Sequence, residues 1–357
     1  MDRHINPEHA EGILPDDKNP DVYENRFNTI VNDGLVALGI ALGQKVGLFE
    51  ALIRLDKPES SQVIADCAGL QERYVREWLF SMVAAKIVFV TDENKYYIPE
   101  VCKHKTSKRL FATMLPAVAP MTISLEQCFR SKDITVAGYD FSLLADVFKF
   151  TDEDRKNCDG KWLDENLVPH KILNKDRIRS ILDIGCGTGR ITLNIAKHFP
   201  DAHVVGIDIE DSAIKTANEN KDREKLTNVE FLVMSGEDLK KEWTAMFDWV
   251  TMLTVLHDLP NPDPCVKEVL RVLKGDGVFT ALDPVVHSDP KLNVGNKMAA
   301  ATLAVSCYVC LPCSLSAPPA VGNGISWGLE NRAQYLRDKG FRVNGDELVS
   351  VIHCTKS

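Results

Sequence analysis

Between Ser180 and Asp208 the chain runs SILDIG, CGTG, RITLNIAKHF and HVVGIDI: an apolar run, a glycine cluster, an amphipathic run and a second apolar run closed by an acid. Short, continuously apolar runs are strands buried on both faces, and the amphipathic run with helical spacing between them is a helix that covers one face. The alternation continues, with DSAIKTANENK and PCVKEVLRVLK as helices and VEFLVM, FDWVTML and GVFTALD as strands. Only a largely parallel sheet with helices on both faces satisfies such a pattern. Trp327 to Lys339 reads as a late helix, and FRVN and LVSVIHC as a terminal strand pair. Residues 179–357 are therefore expected to form an α/β, Rossmann-like domain.

The glycine cluster is Leu182-Asp183-Ile184-Gly185-Cys186-Gly187-Thr188-Gly189. Glycines let the strand turn tightly into the helix and let the backbone approach a ligand. Asp208, at the end of the next strand, can hold both hydroxyls of a ribose. Dinucleotide enzymes use G-x-G-x-x-G, with the pyrophosphate on the helix N-terminus. Here the spacing is G-x-G-x-G followed by Arg190, and Asp183 stands just ahead of the first glycine. A carboxylate there opposes a pyrophosphate but suits a cation. S-adenosylmethionine carries an ammonium and a sulfonium and no phosphate, so the electrostatics favour it. A dinucleotide-dependent oxidoreductase and a plain α/β turn with incidental glycines are the alternatives.

The first third reads differently. Residues 1–25 are polar and charged, without the apolar core of a signal peptide, and are expected to be a flexible lead-in. A helix is expected from about Ile30 to Leu55, broken by Lys57 and Pro58. Ser60 or Ser61 can cap a second helix, SSQVIADCA, which Gly69 ends; ERYVREWLFSMVAAK is a third. IVFVTDENKYYIP then gives two strands around an Asp-Glu-Asn turn. Helix, helix, turn, helix and β-wing make a winged-helix unit over residues 26–100. Residues 101–178, including the charged stretch TDEDRKNCDGKW, are read as a helical connecting segment.

A net charge of -9 counts against nucleic acid as the main partner. Arg73, Arg76 and Lys86 on the third winged helix could face DNA, but Glu72 and Glu77 balance them into a solvated face. Nothing approaches the ~20 apolar residues of a membrane span. Ten cysteines in a chain of 357 residues without a signal peptide suggest reduced thiols and a cytoplasmic location.

ILDIGCGTG with Asp208 resembles motif I and its following acid in class I methyltransferases, over Ile181 to about Phe279, and Ser235-Gly236-Glu237-Asp238-Leu239 resembles the loop that contacts adenine in that family. The resemblance implies S-adenosylmethionine as cofactor, held at Asp183, Gly185, Gly187, Gly189, Asp208, Ile209, Glu237 and Asp238. Asp183 or Gly185 would meet the methionine end, Asp208 the ribose, and Glu237 or Asp238 the adenine amino group; the alternative for the last two is a solvated turn. With a winged helix ahead of it, the chain resembles two-domain small-molecule methyltransferases: plant-type O-methyltransferases and, more closely, a bacterial and invertebrate group of unassigned substrate. The closer likeness spans most of residues 30–341. It rests on RYVREWL, LHDLPNP and the tail Ser314-Leu315, Gly322, Gly324, Trp327-Gly328 and Gly340-Phe341. It implies a seven-stranded methyltransferase sheet and a mainly α-helical winged-helix domain that makes a homodimer and does not read DNA. The activity implied is methyl transfer to a small-molecule acceptor, at oxygen or nitrogen. The alternative use of the same parts is a DNA-binding regulator that responds to S-adenosylmethionine.

His257, just past the fourth strand of the α/β pattern, falls where α/β sheets bind ligands. In plant-type O-methyltransferases the His of a similar His-Asp pair is the general base, although Trp follows that pair there and Leu259 follows it here. His257 is thus the candidate catalytic residue. The alternative is a structural histidine capping the helix that starts near Asn261. Cys307, Cys310 and Cys313 form C-x-x-C-x-x-C, but no fourth cysteine follows at cluster spacing and the surroundings are apolar, so no metal is expected there. Met114, Met121 and Met252 could line a pocket or fill the core. Tyr139 and Trp162 are candidates to close over the cofactor, or ordinary core aromatics.

Overall fold

The computed structural model describes residues 19–103, 107–133, 136–155, 158–344 and 350–357. They divide into two compact units, one of residues 19–122 and 140–154, the other of residues 123–139 and 155–357. Residues 1–18 of the expected lead-in lie outside the described residues.

The first unit opens with α1 (Pro20–Lys45), whose N-cap Asn19 accepts a hydrogen bond from the Asp21 amide. Residues 20–25, expected in the lead-in, are therefore helical. The single helix expected to Leu55 is two. Gly47 takes a left-handed φ of 79° and α2 (Leu48–Leu55) starts behind it, because a residue without a Cβ can leave the helical path at little cost. Ser60 caps α3 (Ser61–Ala68) through the Val63 amide, and Gly69 closes it in the left-handed conformation. After α4 (Glu72–Ala84), β1 (Phe89–Val90) and β2 (Tyr96–Tyr97) pair antiparallel as the wing. The core is Phe49, Leu52, Ile64, Leu79 and Met82, with the Trp78 ring edge-on to Phe49 at 5.2 Å and its indole N–H donating to the Gly39 carbonyl at 2.8 Å. Arg73 and Arg76 pair with Glu77 and Glu72 along α4, as expected of a solvated helix face. Met114 and Met121 are buried.

The second unit is the α/β domain. Its strands are β3 (Ser180–Ile184), β4 (His203–Asp208), β5 (Val229–Val233), β6 (Phe247–Leu253), β7 (Leu273–Leu282), β8 (Phe341–Asn344) and β9 (Val351–Lys356), in the order β5-β4-β3-β6-β7-β9-β8. The first five run parallel; β9 is antiparallel to both β7 and β8. This is the expected seven-stranded sheet with its terminal strand pair. Because side chains alternate across a strand, neighbours part company: Leu182, Val205 and Val250 enter one core, Ile181, Val204 and Trp249 the other. Met252 belongs to the first of these cores, as filler. Each fully buried large side chain, such as Phe279, contributes ~1.5–3 kcal/mol. The chain winds outward from β3 to β5 and then returns to β6 on the other side of β3. That reversal opens a crevice beyond the carboxyl ends of β3 and β6.

Residues 101–178 are helical in large part, and they contribute to both units: helix Leu144–Arg155 closes the segment 140–154 of the first, whereas helix Gly160–Asn166 belongs to the second. Among the described residues no single helix is long and apolar enough to cross a membrane; α1 and α2 meet that test only jointly, across a 67° bend.

Candidate active site

The crevice is floored by the glycine turn. Gly185, Gly187 and Gly189 have φ of 74°, 54° and 77°, a region where a side chain is strained. A Cβ on Gly185 would sit 2.4 Å from the Val255 side chain, so that position is closed to any side chain. A Cβ on Gly187 would meet no atom of the described residues within 4 Å. The space above Gly187 is open, and the turn presents bare backbone to it. The Gly187 amide donates to Asp208 Oδ2 at 2.8 Å and the Glu210 amide to Oδ1 at 3.0 Å. Asp208 thus ties the end of β4 to the turn while keeping lone pairs for further donors. Ile209, beside it, is 76% exposed. Glu237 and Asp238 are exposed past β5, and the Glu237 amide is held by the Ser235 hydroxyl.

Asp183 lies under the turn. It is buried, and its two carboxylate oxygens accept from the Thr192 and Thr251 hydroxyls at 2.6 and 2.8 Å. Burial pushes its pKa up, against the Thr192 and Thr251 bonds and the charge of Arg155. Arg155 donates to the Thr254 hydroxyl at 2.6 Å and lies near the Leu253 carbonyl at 3.3 Å. Thr254, just past β6, has a φ of 60°, a strained value for a β-branched residue of the kind found at functional sites. Tyr139 is buried and its hydroxyl donates to the Tyr308 carbonyl, while Trp162 packs against the core under β3. Tyr139 is a core residue here; Trp162 is half-buried at the edge of the core.

His257 sits past β6, in the short helix Leu256–Asp258, and is buried. It does not cap the following helix Pro262–Val272: the Asn261 side chain does that, accepting from the Asp263 amide. Its Nδ1 lies 2.6 Å from Asp283 Oδ1, and its Nε2 3.2 Å from Asp258 Oδ1. Asp283 Oδ2 faces the Arg332 guanidinium at 2.9 Å, and both residues are buried. Burial pushes the His257 pKa down, but Asp283 and Asp258 pull harder, to about 9. Cys310 turns its thiol to Asp258. The His257 network contains Asp283 and Arg332, and Arg155 stands at Thr254 beside the glycine turn; the sequence singled out none of the three. Asp283 had a signal, since it follows the end of β7 on the same edge as His257. Arg332 and Arg155 had none, because their helices come from distant segments.

Residues 175–336 match the family model of a methyltransferase domain, and residues 34–107 that of an Rv2258c-like winged HTH domain. A ubiquinone biosynthesis O-methyltransferase of Acinetobacter baylyi is 27% identical over 114 residues, covering 32% of this chain and 46% of that protein. The chain thus spans about half the length of the curated relatives it matches. The fold of human N-acetylserotonin methyltransferase, solved in complex with SAM, superposes with a TM-score of 0.69 over 95% of this chain and 99% of that one, at 14% identity. The mitomycin 7-O-methyltransferase MmcR gives 0.66 over 94% and 98%, at 16% identity. Sheet order and glycine turn agree with both domain matches: residues 175–336 match a methyltransferase domain, and residues 34–107 ahead of them an Rv2258c-like winged HTH domain.

Proposed function

We propose that the protein transfers a methyl group from S-adenosylmethionine to a small-molecule acceptor, and that it works as a cytoplasmic homodimer. The observation that carries the reading is the open cradle over Gly187, flanked by the buried carboxylate of Asp183 and the strand-end carboxylate of Asp208. Backbone and two acids fit a ligand that is cationic at one end and carries a ribose, and they repel a pyrophosphate. When bound, the cofactor supplies an electrophilic methyl on a sulfonium. Gly185 and the Asp183 charge receive its amino-acid end, Asp208 accepts from the ribose hydroxyls, Ile209 covers the adenine face, and Glu237 or Asp238 accepts from the adenine amino group. Transfer is then chiefly a matter of holding acceptor and methyl in line.

On the acceptor side the reading places His257, with Asp283 fixing the ring and Arg332 fixing Asp283. Asp283 and Asp258 hold the His257 pKa above its ordinary value against the effect of burial. Removing a proton from the acceptor through this ring needs Asp258, 3.2 Å from Nε2, to give up that position. The winged helix is assigned to dimerisation, since the arginines of α4 are paired with its own glutamates. The test is calorimetry with S-adenosylhomocysteine. Micromolar binding is expected, lost in Gly187→Val, which fills the cradle, and in Asp208→Ala. Unchanged affinity in both variants would sink the assignment.

A further inference from the structure

His257, Asp258 and Cys310 place an imidazole nitrogen, a carboxylate oxygen and a thiol sulfur within 4.8 Å of one another, all at the carboxyl edge of the sheet unit. We propose that these three side chains bind a zinc ion, and that the methyl acceptor approaches through its hydroxyl or thiol. This rests on the methyltransferase reading for what the ion does, but not for its being bound.

The geometry is that of ligands awaiting a cation. Nitrogen and oxygen ligands ~2.0–2.1 Å from a tetrahedral zinc stand about 3.3 Å apart, and His257 Nε2 and Asp258 Oδ1 are 3.2 Å apart. Among the described residues Asp258 Oδ1 is buried and makes no hydrogen bond of good geometry, although it stands within ion-pair range of the ring and the Cys310 thiol is turned to its carboxylate. A buried carboxylate oxygen short of donors is costly to keep, and a cation between it and the imidazole lowers that cost. The other ring nitrogen of His257 is already bonded to Asp283 at 2.6 Å. A carboxylate behind a histidine is the usual outer partner of a metal-ligating imidazole, fixing its tautomer and raising its basicity, and here Arg332 steadies it at 2.9 Å.

The donor set chooses the ion. Nitrogen, oxygen and sulfur together suit zinc; magnesium and calcium want oxygen alone. Three protein ligands are the number found in catalytic zinc sites, where the fourth position is kept for water or substrate. Beside the cation an acceptor O–H or S–H gives its proton to solvent more readily. The acceptor atom then forms its bond to the methyl carbon, the carbon–sulfur bond of S-adenosylmethionine breaks, and its electron pair stays on sulfur, leaving S-adenosylhomocysteine. The C-x-x-C-x-x-C run, taken alone, lacked a fourth ligand. The structure draws one of its cysteines, at the start of the helix Cys310–Ser314, to a histidine and an aspartate just past the end of β6.

The test is elemental analysis of the full chain, reconstituted with zinc under reducing conditions and freed of excess metal. One zinc per chain is expected, retained in Cys307→Ala and lost in Cys310→Ala and His257→Ala. The cobalt-substituted protein should show thiolate-to-metal charge-transfer absorption that Cys310→Ala abolishes. S-adenosylhomocysteine affinity, measured on the same samples, reports that Cys310→Ala is folded and is independent of the metal. Zinc at trace levels in a chain that binds S-adenosylhomocysteine overturns the site and leaves the methyltransferase reading standing. Zinc content unchanged in a folded Cys310→Ala overturns it equally.

Discussion

Asp283 is the residue on which the most charge converges. It is buried between His257 and Arg332, themselves buried. Removing one partner of a buried ionic set leaves the others uncompensated, at ~3–5 kcal/mol. Asp283→Ala should therefore lower stability by about that much in denaturant titration; a loss below about 1 kcal/mol would show that water reaches the network. Glu330 offers a pH signature. Burial opposes its ionisation, but bonds from the Ser288 amide and the His287 ring outweigh this and hold its pKa at about 2. The folded value lies below the unfolded ~4.3, so the stabilisation is present above pH ~4.3 and is lost as pH falls towards 2. The side chain is 39% exposed, and solvent screening reduces the contribution to about 1 kcal/mol. Glu330→Gln should cost that much at pH 6 and nearly nothing at pH 2.5; an equal cost at both would remove the carboxylate's charge from the account.

At the scale of elements, α1 stands out. Phe27, Val31, Leu35, Leu38 and Leu42 are 54%, 57%, 63%, 42% and 56% exposed. Their spacing places them along one stripe of the helix, and a stripe of that length left in water marks an interaction surface. The proposed homodimer uses it. Light scattering at micromolar concentration should give twice the mass of one chain, and Val31→Asp with Leu35→Asp should halve it while S-adenosylhomocysteine still binds. A wild-type monomer would reject the dimer. The sequence showed this helix as apolar but misplaced its ends. It carried the periodic signal of α1 straight through Gly47, because periodicity does not register a single left-handed residue. Caps were easier to read, as with Ser60 and Gly69, since they depend on one side chain or one missing Cβ.

For the whole molecule, cofactor binding is expected to be linked to stability. A ligand held only by the folded chain adds about 2.7 kcal/mol at one hundred times its dissociation constant. S-adenosylhomocysteine at that concentration should raise the melting temperature by several degrees and NAD should leave it unchanged; the reverse result would restore the oxidoreductase. Local order was enough to find most of the domain that makes this prediction. The alternation of apolar strands and amphipathic helices after Ser180 dictates a parallel sheet, because no other arrangement buries both kinds of element. The glycines and acids of the turn lie within one strand–helix–strand unit, so their roles follow from spacing. What only the tertiary structure decided are the contacts that spacing cannot express: Arg155 at Thr254, Asp283 and Arg332 behind His257, Cys310 against Asp258, and Asp183 held by the hydroxyls of Thr192 and Thr251. Each joins segments far apart in the chain, and such contacts are set by sheet order and helix packing rather than by any local pattern of residues.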